Sequence, residues 1–511
     1  MSDQTMAPPL ENTRQRIIDQ LIDLVGADYV QTDRDDLFSY ALALNGSMVW
    51  PLLVIFPTKR SQLVALVQLA REQQLTLHPV SRGRNYGYGT AQGTQQQQVV
   101  VDLKHLNKIV ELNEDQAYVT LEPGVSQAEL YAYLEKKQSR LQMDVTGAGG
   151  DASVVGNVLE RGFGHTDYGN RFDSLLGMEV LLPDGTLIQT GFGDYHQAQA
   201  KAYRHGMGPS VDGLFTQSNF GIVTQVTLAL QPKPAYFCMF IYLAKHEEDL
   251  EKLVHAVREL KLDGVLDSCV HIANKGRLAK PGQPNKAGEW NISASLSGPK
   301  ALAMARKKAI QQAFKKYGLR GKAHWITDAK LKLADFVDRR IFSIEAYAML
   351  QEATKLKKGI PTDSYVKDLM NDSNATSSNL VSSERNQYFK WISAVSSADP
   401  AAVRQLVKLT QEALAERGYA FRVTLTFINE RSLIMISEIS YPNEKEAIAK
   451  AAADYTEIIK HLALHGYYAY RSGPGSFESV VPDNVPLINF LRSLKATIDP
   501  DQILAPGKYK I

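Results

Sequence analysis

The sequence predicts an α+β protein built from two domains. Three observations carry this. At 511 residues the chain is long enough for more than one hydrophobic core. Apolar runs of strand length alternate with amphipathic helices. Near residue 235 the texture changes, from a glycine-rich part to one with fewer glycines in which helices alternate with β-rich runs. The boundaries read this way are a first domain over 1–234, a second over 235–465, and a segment 466–511 that returns to the first.

The elements follow in order. Residues 12–26 repeat apolar positions at helical spacing and stop at a glycine. WPLLVIFP is an apolar run closed by Pro57, a buried strand. SQLVALVQLAREQQ (61–74) is an amphipathic helix and LTLHPV (75–80) a short strand, so the three together predict a βαβ unit. VVVDLKHL, KIVELN and AYVTLEP are strand candidates between 99 and 123, and SQAELYAYLEKK (126–137) is helical. LLGMEVLLPDGTLIQTG predicts a hairpin through Pro183-Asp184-Gly185. Residues 215–234 end in a strand and a proline boundary. Beyond it, 246–261, 400–418 and 444–466 read as helices and 421–441 as a hairpin. The chain closes with a helix, a turn at Asp499-Pro500 and a short tail.

Composition narrows the function. Apolar residues make up 44% and charged residues 22%, an ordinary soluble mix. A net charge of +2 without a basic stripe argues against nucleic acid. The two cysteines, Cys238 and Cys269, form no CxxC, which excludes a disulfide scaffold and a cysteine-based zinc site and fits a reduced, cytoplasmic setting. The N-terminus MSDQTMAPPLENTRQ has no apolar signal core. No run of about 18 apolar residues predicts a membrane span.

Two glycine-rich regions carry the chemistry. GRNYGYG (83–89) is not GxGxxG opening a helix, since TAQGT follows it, and it lacks the GK[ST] of a Walker loop. Its glycines still let backbone N–H groups converge on a phosphate. From local composition alone it serves equally as such a nest or as a tight turn. The second region, 147–164, places small residues at Gly156 and Asn157, so that two loops grip a long cofactor from two sides.

The order of motifs then resembles a known family. PVSRGRNYGYG, VVGNVLERGFGHTDYG, GMEVLLPDGTLIQTG, GPSVDGLFTQSNFGI, YAYR (468–471) and IDPDQILAPGK (498–508) run as in the flavoproteins related to vanillyl-alcohol oxidase, eugenol oxidase and the flavin subunit of p-cresol methylhydroxylase. The resemblance implies a two-domain FAD-binding fold of that type, with a cap domain of antiparallel sheet flanked by helices. It implies that Ser81, Gly83, Arg84, Asn85 and Gly87 wrap the FAD pyrophosphate. Gly147, Gly156, Asn157 and Gly162 line the cofactor, and Gly221, Ile222 and Val223 sit by its adenosine or ribityl part. Tyr88, Tyr470 and Arg471 match the groups that bind a para-substituted phenol as phenolate. The implied reaction is hydride transfer from the benzylic carbon to flavin N5 through a quinone-methide-like intermediate.

The departures from the pattern are also informative. The family's GYTPYGDH is GHTDYGNR here (164–171), so the acid near flavin N5 becomes Asn170, which cannot accept a proton as a carboxylate does. His165, Asp167 and Arg171 are new polar neighbours, open between a replacement acid–base role and local turn bonding. The position of the tethering histidine falls at Ser432 or Leu433, and Tyr88 stands where other relatives place one in the first loop. FAD is therefore expected to be noncovalent. SGPGSFES (472–479) reshapes the pocket mouth. The alternatives are oxidation of another alcohol or a hydroxy acid, with Arg471 on its carboxylate, or a flavin-binding protein altered in catalysis. The expected partners are the phenolic substrate, O2 or a separate acceptor such as a cytochrome, and a second copy of the chain in a homodimer.

Overall fold

The computed structural model describes residues 8–167, 169–195, 200–279, 287–336, 344–370, 372, 374–381 and 385–511. The N-terminal part holds two sheets. In the first, a mostly parallel one, the strands run in the order Val30–Gln31, Leu53–Ile55, Val99–Asp102, Leu77–Val80. The helix Arg60–Gln73 connects Leu53–Ile55 to Leu77–Val80. It buries Leu63, Leu66, Val67 and Ala70 against Leu53, Ile55, Val99 and Val101. The expected βαβ unit differs in one respect: Val99–Asp102 lies between its two strands and pairs in parallel with both. VVVD is buried at every position, which suits the centre of a parallel sheet covered on both faces.

The second sheet is antiparallel, in the order Ile109–Asn113, Tyr118–Leu121, Ile222–Ala229, Leu175–Leu181, Leu187–Gln189. Its last pair is the hairpin through Pro183-Asp184-Gly185, where Gly185 turns at φ 91°. Within the second glycine-rich region, SVVGNVL forms a short helix, Val154–Leu159, which the glycines hide from a periodicity reading. Ser153 Oγ caps it by accepting from Gly156 N.

The C-terminal part is an eight-stranded antiparallel sheet with helices on one face. Cys238, Phe240, Tyr242 and Ala244 of the strand Tyr236–Ala244 join the core under the helices Asp249–Leu262, Lys300–Lys316, Pro400–Glu416 and Lys445–Leu464. Strand alternation turns the intervening residues the other way. So Val270 and Ile272 face the helices, while Cys269 and His271 meet the first domain. On the strand Gln387–Ile392, at the end of the sheet, Phe389 and Trp391 do the same. This face packs against the N-terminal part.

The chain end returns to the N-terminal part. Leu77 N donates to Ile503 O, and Ala505 N donates to Leu77 O. The helix Pro486–Ile498 anchors this through Lys495, whose Nζ donates to Asp499 at 2.6 Å and to the carbonyls of Asn219 and Leu504. Asp499 also accepts the N–H groups of Ile503 and Leu504. Both side chains of the pair are 1% exposed. A buried pair with every partner filled is costly to break from one side. Asp499→Asn is expected to lower the free energy of urea unfolding by about 2 kcal/mol, as the cost of leaving a buried donor short of its acceptor. Among the described residues no helix is long and apolar enough to cross a membrane.

Candidate active site

A cavity of about 440 Å³ runs between the two glycine-rich regions and the chain end. The first loop contributes Ser81, Gly83, Arg84, Asn85 and Tyr88 to its wall, and the short helix Val154–Leu159 contributes Gly156 and Asn157. Gly221, Ile222 and Val223 line it at the start of their strand, and Arg471 closes one side. The loop is shaped by left-handed backbone at Gly83, Gly87 and Gly89, with φ of 64°, 72° and 104°.

Not every expected residue reaches this wall. Gly87 lies against the second domain instead, where an added Cβ would strike Trp391 and Phe389. Gly162 makes room for the Asn157 side chain. Gly147 faces Tyr365, whose ring would stand 3.3 Å from a Cβ there. Asn170 is not brought to the cavity. It opens the 3-10 turn Arg171–Ser174, and its Nδ2 donates to Asp173 at 2.9 Å on the exposed side. Ser432 and Leu433 also stand elsewhere: Ser432 bonds Asn429, and Leu433 is buried in the second domain's core.

The two glycine-rich regions are tied together by a residue the sequence did not flag. Asp151 accepts from Arg84 Nε at 2.7 Å and pairs with Arg82, whose Nη1 also donates to Gly124 O. The one available signal was an acid in a glycine loop facing two arginines in another.

Tyr88, Tyr470 and Arg471 come together. The guanidinium carbon of Arg471 is 4.3 Å from the Tyr88 ring centre and 5.4 Å from that of Tyr470. The two phenol rings meet edge-on at 6.5 Å, and Phe163 lies 5.6 Å from Tyr470. The backbone holds this group. Tyr470 N donates to Ser393 O, Ser393 Oγ donates to Arg471 O at 3.3 Å, and Gln217 Nε2 donates to Tyr470 O at 3.0 Å. Burial, then Tyr470, pushes the Tyr88 phenol well above its usual pKa, against the pull of Arg471. Burial opposes the charge on Arg471, but Tyr470, Tyr88 and Glu160 outweigh it and raise its pKa. Tyr88 therefore stays a donor and Arg471 a cation.

The donor set fits a large polar cofactor. Buried atoms without a hydrogen-bond partner cluster along this cavity: Asn85 Oδ1, Asn157 Oδ1, Asn219 Oδ1, His78 Nδ1 and Arg471 Nε. Buried polar atoms are rarely left unpaired, and here they share a volume in the range of cofactor pockets. Gly156 brings the helix to Ser81, whose Oγ would be 3.0 Å from a Cβ there.

A second cluster adjoins this site. His165 Nδ1 and His271 Nε2 are 2.9 Å apart, and Tyr365 stacks on His165 at 5.8 Å. Asp167 accepts from Ser297 of the second domain, and Arg171 is buried with Nη1 donating to Gln127 at 3.4 Å. Among the described residues no group of His, Cys, Asp and Glu could hold a metal.

A family model described as an FAD binding domain matches residues 51–191. The chain is 29% identical to 1'-carboxy-chondrochloren decarboxylase of Chondromyces crocatus over 97% of both chains. It is 26% identical to the flavoprotein subunit of 4-cresol dehydrogenase (hydroxylating) of Pseudomonas putida, over 95% of this chain and 93% of the other. Its fold matches that of 4-ethylphenol oxidase from Gulosibacter chungangensis with a TM-score of 0.85 at 23% identity, covering 100% of this chain and 99% of that one.

Proposed function

The chain belongs to the FAD-binding flavoproteins of the p-cresol methylhydroxylase type, and from that premise we propose that it oxidises a para-substituted phenol, a 4-alkylphenol or 4-hydroxybenzyl alcohol. The observation that carries this reading is the Arg471 guanidinium lying over the rings of Tyr88 and Tyr470 at the edge of the cofactor cavity. One cation and two phenolic hydroxyls in a dry site are what a phenolate oxygen needs. Ser81, Gly83, Arg84, Asn85, Gly156 and Asn157 would hold the FAD, and Gly221 to Val223 its other end. Bound FAD supplies the two-electron acceptor. The ionised phenol pushes electron density to the para benzylic carbon, a hydride leaves that carbon, and a quinone methide remains. Residues 1–234, 235–465 and 466–511 act in this reading as cofactor domain, cap and returning segment. O2 or a separate cytochrome takes the electrons onward, and the working form is a homodimer in the cytoplasm.

Two tests follow. Under anaerobic conditions 4-alkylphenols should bleach the flavin and 2-hydroxy acids should not; the reverse result would sink the phenol reading. No histidine or tyrosine is assigned as a tether, so acid precipitation should leave a white pellet and a yellow supernatant. A yellow pellet would show a covalent flavin.

A second reading is favoured by Lys357. It is 4% exposed, its Nζ donates to Cys269 O at 3.1 Å, and it acts on both imidazoles of the histidine pair. A phenol with a carboxylate on its benzylic carbon would bring this lysine an anion in addition to Asp167 and Asp144. Loss of that carboxylate as CO2 would release the C–C bonding pair, for which bound FAD would supply the two-electron acceptor. Trapped CO2 from 4-hydroxyphenylacetate, absent in Lys357→Met, would support it; bleaching without CO2 would exclude it.

A further inference from the structure

Ionising the substrate leaves a proton to place. A phenol with a pKa of about 10 arrives neutral at neutral pH. Held as phenolate, it sheds one proton in a buried site. The anchor itself has no room for that proton. Arg471 already carries its full charge and Tyr88 its own hydrogen. Glu160, the carboxylate acting on Arg471, is engaged with Lys508 Nζ at 3.7 Å.

Behind the anchor lies a second, small cavity of about 30 Å³. That is room for about one or two water molecules, which need polar walls. Ser393, Tyr455, Ser472 and Ser476 supply hydroxyls, and no carboxylate, ammonium or imidazole lies among the described lining residues. Two of these serines belong to SGPGSFES (472–479). Ser472 also lines the cofactor cavity, so the two spaces share a wall. Tyr468, 49% exposed, marks the outer end. Tyr455 Oη donates to Trp391 O at 3.2 Å.

Ser393 stands between this cavity and Tyr88. It is 2% exposed. Its backbone is fixed where Tyr470 N donates to Ser393 O and Val395 N donates to Tyr468 O. Its hydroxyl serves two oxygens. It donates to Arg471 O at 3.3 Å. It also bonds the Tyr88 phenol, where burial is the larger influence. One hydroxyl hydrogen turns between two acceptors, and the oxygen keeps lone pairs open to a donor.

We infer that the substrate's phenolic proton leaves through Tyr88 and Ser393 into the small cavity, with Ser393 acting through Tyr88 as the relay. This rests on the phenol reading above. The substrate O–H bond breaks and its hydrogen joins the Tyr88 oxygen. The hydrogen Tyr88 held passes to Ser393 Oγ, and that of Ser393 passes to water in the small cavity. Each hydroxyl ends with one hydrogen, the substrate is left as phenolate, and the surplus proton goes to solvent past Tyr468. No electrons change hands. When the three hydrogens move together Tyr88 is never ionised, so its raised pKa does not block the path. Tyr88 ends with its hydrogen toward the phenolate, as a donor in the anchor.

4-Nitrophenol tests this on the oxidised holoenzyme. It has no benzylic hydrogen, so the flavin stays oxidised, and its absorbance changes on ionising. At a pH where the free phenol is mostly neutral, stopped flow should show phenolate forming on the parent, more slowly in D2O. Ser393→Ala should slow this about 10²-fold, the lower range for a lost positioned proton transfer, and reach nearly the same final absorbance. Ser393→Thr, which keeps the hydroxyl, should restore the rate. Ala463→Leu, which fills the small cavity from a residue outside the cofactor cavity, should slow it too. A relay changes how fast phenolate forms; a packing residue changes how much forms. A parent rate in either FAD-loaded Ser393→Ala or Ala463→Leu would overturn the inference, as would a loss that Ser393→Thr does not restore or a rate indifferent to D2O. A parent that binds 4-nitrophenol without ionising it would overturn the phenol reading, and this one with it.

Discussion

Arg471→Met is expected to slow anaerobic flavin bleaching by 4-ethylphenol about 10³-fold at neutral pH, and the loss should shrink as pH rises. A phenol with a pKa of about 10 is ionised to about one part in 10³ at pH 7. Only the ionised form pushes electrons toward the benzylic carbon, so the anchor's main task is to make phenolate the bound species. Arg471 is suited to this. Its charge is reinforced by Tyr470, Tyr88 and Glu160 against the cost of burial, and its plane lies 4.3 Å from the Tyr88 ring. A methionine keeps most of the packing and removes the cation. The sign of the pH effect follows: each unit of added alkalinity restores about tenfold more free phenolate, so the variant's rate should climb about tenfold per unit below the phenol's own pKa. The parent should stay nearly flat over the same range. Stopped-flow bleaching from neutral to alkaline pH makes the comparison. A variant with the parent's pH profile would mean that Arg471 has only a packing role.

Gly156→Leu should yield folded protein that no longer retains FAD, with affinity down about 10³-fold or more. Gly156 lies inside the helix Val154–Leu159, so a side chain meets no left-handed strain. What it meets is Ser81, at 3.0 to 3.2 Å from the first added carbon, in the wall of the cofactor cavity. Overpacking a well-packed site costs about 1–3 kcal/mol, and a branched side chain here also takes up space in the cavity itself. Circular dichroism checks the fold and the visible spectrum checks the flavin. A yellow, folded Gly156→Leu would show that FAD does not approach this helix.

Much of this was legible in the sequence because it is local. The loop 83–89 announces itself by glycines that adopt positive φ. The hairpin at 183–185 and the helix 60–73 follow from turn chemistry and 3.6-residue spacing. What escaped is non-local. Val99–Asp102 inserts between two strands that look adjacent in sequence, because the centre of a parallel sheet goes to the most buried run. YFCMFIYLA is apolar throughout, so periodicity could not separate its helix-facing residues from those on the opposite face of the sheet. Arg84 and Asp151 meet across 67 positions, and His165 and His271 across 106. Asn170 shows the converse. Motif alignment gave it a role, but the turn it begins points its amide at Asp173.

The claim that substrate is held and activated as a phenolate is tested most directly by a matched pair, 4-ethylphenol and its O-methyl ether, mixed anaerobically with the holoenzyme. The two share the ring and the benzylic carbon, and only the first can ionise. The phenol should bleach the flavin, several-fold more slowly when its benzylic hydrogens are deuterium, and the ether should not bleach it on the same timescale. Bleaching by the ether at a comparable rate would contradict the phenolate anchor at Tyr88, Tyr470 and Arg471.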